Sequence, residues 1–167
     1  MIFAALGGMF ALGVWYFFFR PSDPQEGDLT WDDIMSTFSL RGVYLPQDEL
    51  DVIQSTALQY GIDARLLAAI RKAENGGPGR EFGIMSVPAP TYTDQARAAA
   101  QTIKNNQARY EAETGYSSSV LGRLTDQFIA YLGGKYAPVG ASNDPSGLNN
   151  NWVRNVMNFY HTIDYAA

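Results

Sequence analysis

From Pro46 to His161, apolar residues recur at spacings of three and four, in runs separated by Gly, Pro or a capping residue. This pattern, more than any other, narrows the folds open to the chain. Spacings of three and four put side chains on one face of a helix, whereas a half-buried strand needs alternation. Pro46 opens a helix with Leu50, Ile53, Ala57 and Tyr60 on one face, and Gly61 closes it. Asp63 caps the next, "ARLLAAIRKAEN". Thr93 starts a long helix to about Ala112, with Ala96, Ala99, Ala100, Ile103 and Tyr110 as packing positions. A fourth runs from Thr125 to Leu132 and stops at Gly133, and a last one from Asn150 to His161 carries Trp152, Val153, Val156 and Met157. A shorter helix over residues 31–38, capped by Thr30, precedes them. "FGIMSV", residues 82–87, is the best candidate for a strand or hairpin arm. Residues 29–167 are therefore read as one mainly α domain with a small β-hairpin or loop region.

Ahead of that domain stand 18 uncharged residues, Ile2 to Phe19. As a helix they span ~27 Å, close to the hydrocarbon thickness of a bilayer. Nothing basic precedes them except the amino terminus, and they end in Trp15-Tyr16-Phe17-Phe18-Phe19, an aromatic belt and not a cleavage site. Residues 1–20 are read as an uncleaved single transmembrane anchor, with packing on a partner protein as the alternative. Arg20, the cation next to the span, favours a cytoplasmic C-terminal side. "PSDPQEGD", residues 21–28, is a tether.

Composition excludes several classes of function. Twelve basic against 17 acidic side chains give a net charge of −5, which opposes nucleic-acid binding. There is no cysteine, hence no thiolate nucleophile or thiolate metal site, and the single histidine, His161, cannot supply a histidine cluster. "GGPGR" lacks the Lys-Ser/Thr ending of a phosphate loop, and "NDPSGLNNN" lacks the alternating acids of a calcium loop. No metal or cofactor is implied.

The apolar stripe of the helix capped by Asp63 poses the functional question. Leu67, Ile70 and Glu74 stand at i, i+3 and i+7, so the carboxyl group is aimed along an apolar face at the C-terminal end of its helix. Burial and the negative end of the helix dipole both favour the protonated acid, as general-acid cleavage of a glycosidic bond requires. The glycines that follow leave space beside it. The alternative is that Glu74 swings outward to pair with Arg71 or Lys72.

Residues 50–160 resemble the lysozyme-like lytic transglycosylases, in particular those of phage virions and related wall-penetrating machines. The family's catalytic glutamate ends a helix of the "ARLLAAIRKAE" type, which maps it to Glu74. Gly83-Ile84-Met85-Ser86 stands where a Gly-x-Met-Gln segment is usual, and Ala130-Tyr131-Leu132-Gly133-Gly134 where Ala-Tyr-Asn-x-Gly is usual. Residues 135–156, "KYAPVGASNDPSGLNNNWVRNV", are similar to a C-terminal signature with a Tyr-Ala-Pro loop followed by Asn-Asp. Ser86 replaces glutamine, Leu132 replaces asparagine, and Asn75 stands where serine is common.

The resemblance implies a lysozyme-like fold and cleavage of the β-1,4 bond between N-acetylmuramic acid and N-acetylglucosamine in peptidoglycan. One glutamate serves as acid and then as base, and the muramic acid 6-hydroxyl closes a 1,6-anhydro ring. It implies substrate contacts from Gly83, Met85, Ser86, Tyr131, Tyr136, Asn143 and Asp144. The setting is phage entry, or a bacterial secretion or conjugation machine, with virion or machine proteins as partners. A domain acting on cell wall from the inner membrane faces the periplasm, against the bias of Arg20. Alternatives are a hydrolytic muramidase or glucosaminidase, and an inactive lysozyme-like binding or structural protein.

Several of these residues have a structural reading too. Asp144 is either the second carboxylate of a hydrolase or the start of an Asx turn before Pro145, and the turn is preferred. Glu81 is either another candidate second carboxylate or a residue in solvent beside Arg80, and the solvent position is preferred. Tyr131 either packs with Phe128 and Leu132 or lines the sugar cleft, as the resemblance favours. Asn143 and Asn149 either bind substrate amides or cap the final helix, the cap being preferred for Asn149.

Overall fold

The structure, a computed structural model, describes residues 39–141, 144 and 147–165, all within one unit, Met35–Ala167. The expected span at 2–19, the tether at 21–28, the helix at 31–38 and Asn143 lie outside the described residues. Among the described residues no helix is long and apolar enough to cross a membrane.

Five α-helices carry the described part: α1 Gln47–Tyr60, α2 Ala64–Glu74, α3 Tyr92–Thr114, α4 Asp126–Tyr136 and α5 Trp152–Thr162. The 3-10 turn Leu148–Asn151 leads into α5. Four two-residue strands form two antiparallel pairs. The strands β1 (Leu40–Arg41) and β4 (Asp164–Tyr165) join the two ends of the described chain, with Leu40 opposite Tyr165. The strands β2 (Ser119–Val120) and β3 (Arg123–Leu124) form a hairpin. Its turn residues Leu121 and Gly122 both have positive φ, 51° and 75°, the signature of the turn that matches strand twist.

The middle of α2 is the centre of the core. Leu66, Leu67, Ala68, Ala69 and Ile70 are successive residues with no exposed surface, so this helix is buried on every side. It packs most extensively on α5 and also on α1, while α1 packs on α3 and α4 on α5. The N-terminal end of α2 is fixed by Asp63. Its carboxylate accepts the Arg65 backbone N–H at 2.9 Å, pairs with the buried Arg65 guanidinium at 2.8 Å, and accepts the Tyr160 hydroxyl at 2.7 Å and the Tyr165 hydroxyl at 3.1 Å. Arg65 also donates to the Gly122 carbonyl at 2.6 Å, so one capping residue ties α2 to the hairpin, α5 and β4.

Several boundaries differ from the sequence reading, each for a local reason. The long helix starts at Tyr92 because Thr91 caps it, its hydroxyl accepting the Asp94 N–H, and it runs to Thr114 and Gly115. Gly133 does not close α4, which continues to Tyr136. A Cβ there would lie 2.3 Å from the Val153 side chain, so this glycine allows close approach of α5. "FGIMSV" is no strand: its main chain is held by a side chain instead. The buried amide of Gln95, on α3, accepts the N–H groups of Phe82 at 3.4 Å and Ile84 at 3.3 Å and donates to the carbonyls of Ile84 at 2.7 Å and Ala89 at 3.2 Å.

Candidate active site

Glu74 is the last residue of α2, and the chain turns away directly behind it. The turn residue is not one of the glycines but Asn75, left-handed at φ 46°, a conformation that asparagine adopts more readily than other residues with a side chain. Neither neighbouring cation reaches the carboxyl group. Arg71 pairs with Glu49 at 2.8 Å, and Lys72 donates to the Tyr44 carbonyl at 3.3 Å. The half-buried carboxyl group instead lines a cavity of about 520 Å³ between the C-terminal end of α2, the 76–85 loop, the C-terminal end of α4 and the 3-10 turn.

One contact organises this group. The indole N–H of Trp152, the first residue of α5, donates to Glu74 Oε1 at 2.6 Å. Two opposed effects act on the carboxyl: burial raises its pKa above the ordinary value, and the indole hydrogen bond lowers it, with burial the larger. An indole nitrogen only donates. A proton on the acid therefore resides on the other oxygen, Oε2, which lies against Gly83. A Cβ on Gly83 would fall 2.4 Å from that oxygen, and its φ of +69° also favours glycine. Gly83 is thus the position at which the loop passes the carboxyl group without covering it.

Tyr136 supports the indole. The two rings stack with centroids 5.1 Å apart, and the Tyr136 hydroxyl donates to the Phe82 carbonyl. Burial holds this phenol well above its ordinary range, and the adjacent Glu74 adds to the effect, so the group stays a donor. A connected set runs from the 82–83 loop through Tyr136 and Trp152 to Glu74.

Of the residues expected at the site, Glu74, Gly83, Met85, Tyr136 and Asp144 line the cavity, together with Trp152. Four expectations need correction, that for Glu81 among them. Tyr131 does not line it: its hydroxyl donates to Glu113 at 2.9 Å and its ring packs edge-on to Tyr110. Tyr131 and Tyr136 stand five positions apart on one helix, a rotation of about 140°, so the two cannot share a face. Ser86 is exposed and outside the cavity lining. Asn149 caps no helix through its side chain, which donates to the Pro138 carbonyl at 2.9 Å, and the residue lines the cavity.

Asp144 reaches the cavity, but its two carboxylate oxygens accept the backbone N–H groups of Leu148 at 2.9 Å and Asn149 at 2.8 Å, which is a turn-forming role. Glu81 is not in solvent. It is buried, with Oε1 accepting the Gly79 N–H at 3.0 Å and Oε2 without a hydrogen-bond partner. His161 is exposed and lies 2.9 Å from Asp126. Among the described residues no group of three or more acidic or histidine side chains is placed to hold a metal.

Sequence reasoning assigned Trp152 to packing and gave Gln95 no role. The indole meets a residue 78 positions away, and no local pattern announces such a contact. Searches against protein-family models, curated proteins and solved structures give no match for this chain.

Proposed function

We propose that this chain is a lysozyme-like lytic transglycosylase that cuts the β-1,4 bond between N-acetylmuramic acid and N-acetylglucosamine in peptidoglycan. The observation that carries the reading is the state of Glu74: a carboxyl group facing a cavity, unpaired with any described cation, with one oxygen held by an indole and burial favouring its protonated form. The resemblance of residues 50–160 to the family supplies the substrate and the fold type.

In the reaction, the Glu74 Oε2–H protonates the glycosidic oxygen as the bond from the muramic acid C1 breaks. The carboxylate that results then takes the proton of the 6-hydroxyl, whose oxygen attacks C1 and closes the 1,6-anhydro ring. Glu74 ends protonated, ready for the next cycle, and no water is consumed. Trp152 fits both halves: its N–H stabilises the anion between the steps and directs the proton to Oε2. The engagement of both Asp144 oxygens by the main chain favours this route over a hydrolase with a second carboxylate that activates water. Residues 2–19 would anchor the domain in a virion membrane, or in an inner membrane with the domain in the periplasm, where local opening of the wall serves entry or assembly.

Digestion of purified cell wall by the wild type and by Glu74→Gln, with products read by mass spectrometry, tests the proposal. Anhydro-ended fragments from the wild type and none from the variant are expected. Reducing ends would instead mark a hydrolase. Equal clearing by both proteins, or by neither, would remove Glu74 from this role.

A further inference from the structure

Beside the Glu74 cavity lies a second one of about 400 Å³, and Arg80 and Met85 line both. Arg80 and Met85 thus stand between this cavity and the one that holds the carboxyl group. The second cavity has Ile84, Val87, Pro88 and Pro90 in its lining beside the polar Gln95, and Arg80 is the one charged residue lining it among the described residues. Met85 and Val87 are 63% and 50% exposed there, an open apolar floor.

Arg80 is exposed, unlike Arg65 and Arg71, which pack near the core. Arg65 and Arg71 are each committed to a carboxylate at 2.8 Å, whereas the Arg80 guanidinium has no hydrogen bond or ion pair among the described residues. Its backbone, in contrast, is fixed. The Arg80 N–H donates to Gly77 O at 2.9 Å, its carbonyl accepts the Gly83 N–H at 3.0 Å, and it passes so close to Gly76 that a Cβ there would lie 1.9 Å from the carbonyl oxygen. An exposed guanidinium with no partner among the described residues, on an anchored turn that lines both cavities with Met85, is open to an anion with an apolar neighbour. Planar carboxylates match its paired donors.

We propose that Arg80, with Met85 and Val87, forms a subsite that holds a carboxylate carried by the glycan next to the bond that is cut. This inference rests on the reading of the substrate as peptidoglycan, in which muramic acid bears an acidic lactyl ether or, through it, an acidic peptide. Either source presents the same carboxylate to the guanidinium.

The test is binding, measured by calorimetry in the full chain carrying Glu74→Gln so that no turnover intervenes. The probes are the N-acetylglucosamine–N-acetylmuramic acid disaccharide with its lactyl carboxylate free, the same disaccharide with that carboxylate amidated, and a form carrying a stem peptide. A hydrogen-bonded charge pair of about 1.5–3 kcal/mol corresponds to roughly a 10- to 100-fold change in Kd. Adding Arg80→Gln is expected to weaken an acidic probe by that factor, with Arg80→Lys intermediate and the amidated probe unaffected. Loss confined to the peptide-bearing probe identifies the peptide as the source, and loss on the peptide-free acid identifies the lactyl group. Equal affinity of the Arg80-intact protein for acidic and amidated probes, or an equal loss on both in Arg80→Gln, overturns the subsite. Cell-wall cleavage by the wild type keeps the two readings apart: a protein that binds acidic probes through Arg80 yet releases no fragment refutes the activity and leaves the subsite standing.

Discussion

A single methyl group at Gly83 tests the geometry of the site against a matched control. In Gly83→Ala the added Cβ would lie 2.4 Å from Glu74 Oε2, where ordinary contact begins at 3.4 Å, so carboxyl and loop must separate by about 1 Å. The backbone there is left-handed at φ +69°, which costs a residue with a Cβ roughly 1–2 kcal/mol. Gly61→Ala incurs the same backbone cost at φ +65°, with nothing within 4 Å of the new methyl. Gly61→Ala is therefore expected to lose about 1–2 kcal/mol in urea denaturation, and Gly83→Ala at least as much. Displacement of a reacting group by ~1 Å costs on the order of 100-fold in rate, or about 2.7 kcal/mol of barrier. Cell-wall turbidity assays should then show Gly83→Ala slowed by about that factor and Gly61→Ala close to wild type. Equal rates for the two variants, whether both fast or both slow, would refute the placement of Glu74 against Gly83.

Other outcomes follow from the same contacts. Trp152→Phe keeps a ring for Tyr136 to stack on and removes the N–H donor that stabilises the Glu74 anion, so the alkaline limb of the kcat/KM profile should move to higher pH. Glu74→Gln should stabilise the fold relative to wild type at neutral pH and lose that advantage below the ordinary carboxyl value of 4.5. The sign follows because a raised acid pKa means that the folded state holds its proton more tightly, so wild-type stability falls as pH rises from that value through the folded one; thermal melts of both proteins across pH check it. Gln95→Leu removes the partners of four main-chain groups, and with a buried unpaired group costing about 1–3 kcal/mol it should destabilise by at least about 2 kcal/mol. Faster hydrogen exchange at the Phe82 and Ile84 amides should accompany that loss.

The helices were legible wherever their own sequence decides them. Asp63 caps α2 and Gly61 ends α1, both by local chemistry. Glu74 was legible as a residue on an apolar stripe, because i, i+3 and i+7 share a face whatever the helix packs against. Its hydrogen-bond partner was not, since Trp152 reads as one more apolar residue of an amphipathic helix. Gln95 was hidden for the converse reason: a glutamine inside a long helix usually faces water, and here it replaces a strand ladder for the loop beside the site. The hairpin moved from "FGIMSV" to residues 119–124 because Gln95 takes up the first segment's main chain, while Leu121-Gly122 supplies the positive-φ turn the second requires. Tyr131 was assigned to the cleft by its place in a motif, and helical rotation carries it to the Tyr110 side.

The most direct measurement is the titration of the Glu74 side-chain carbon itself, by carbon-13 NMR of the intact chain with and without Glu74→Gln to assign the resonance. A general acid kept protonated by burial titrates above the ordinary carboxyl value of 4.5. A midpoint at or below that value would mean a solvated or ion-paired carboxylate, and Glu74 would then have no proton to give at the glycosidic bond.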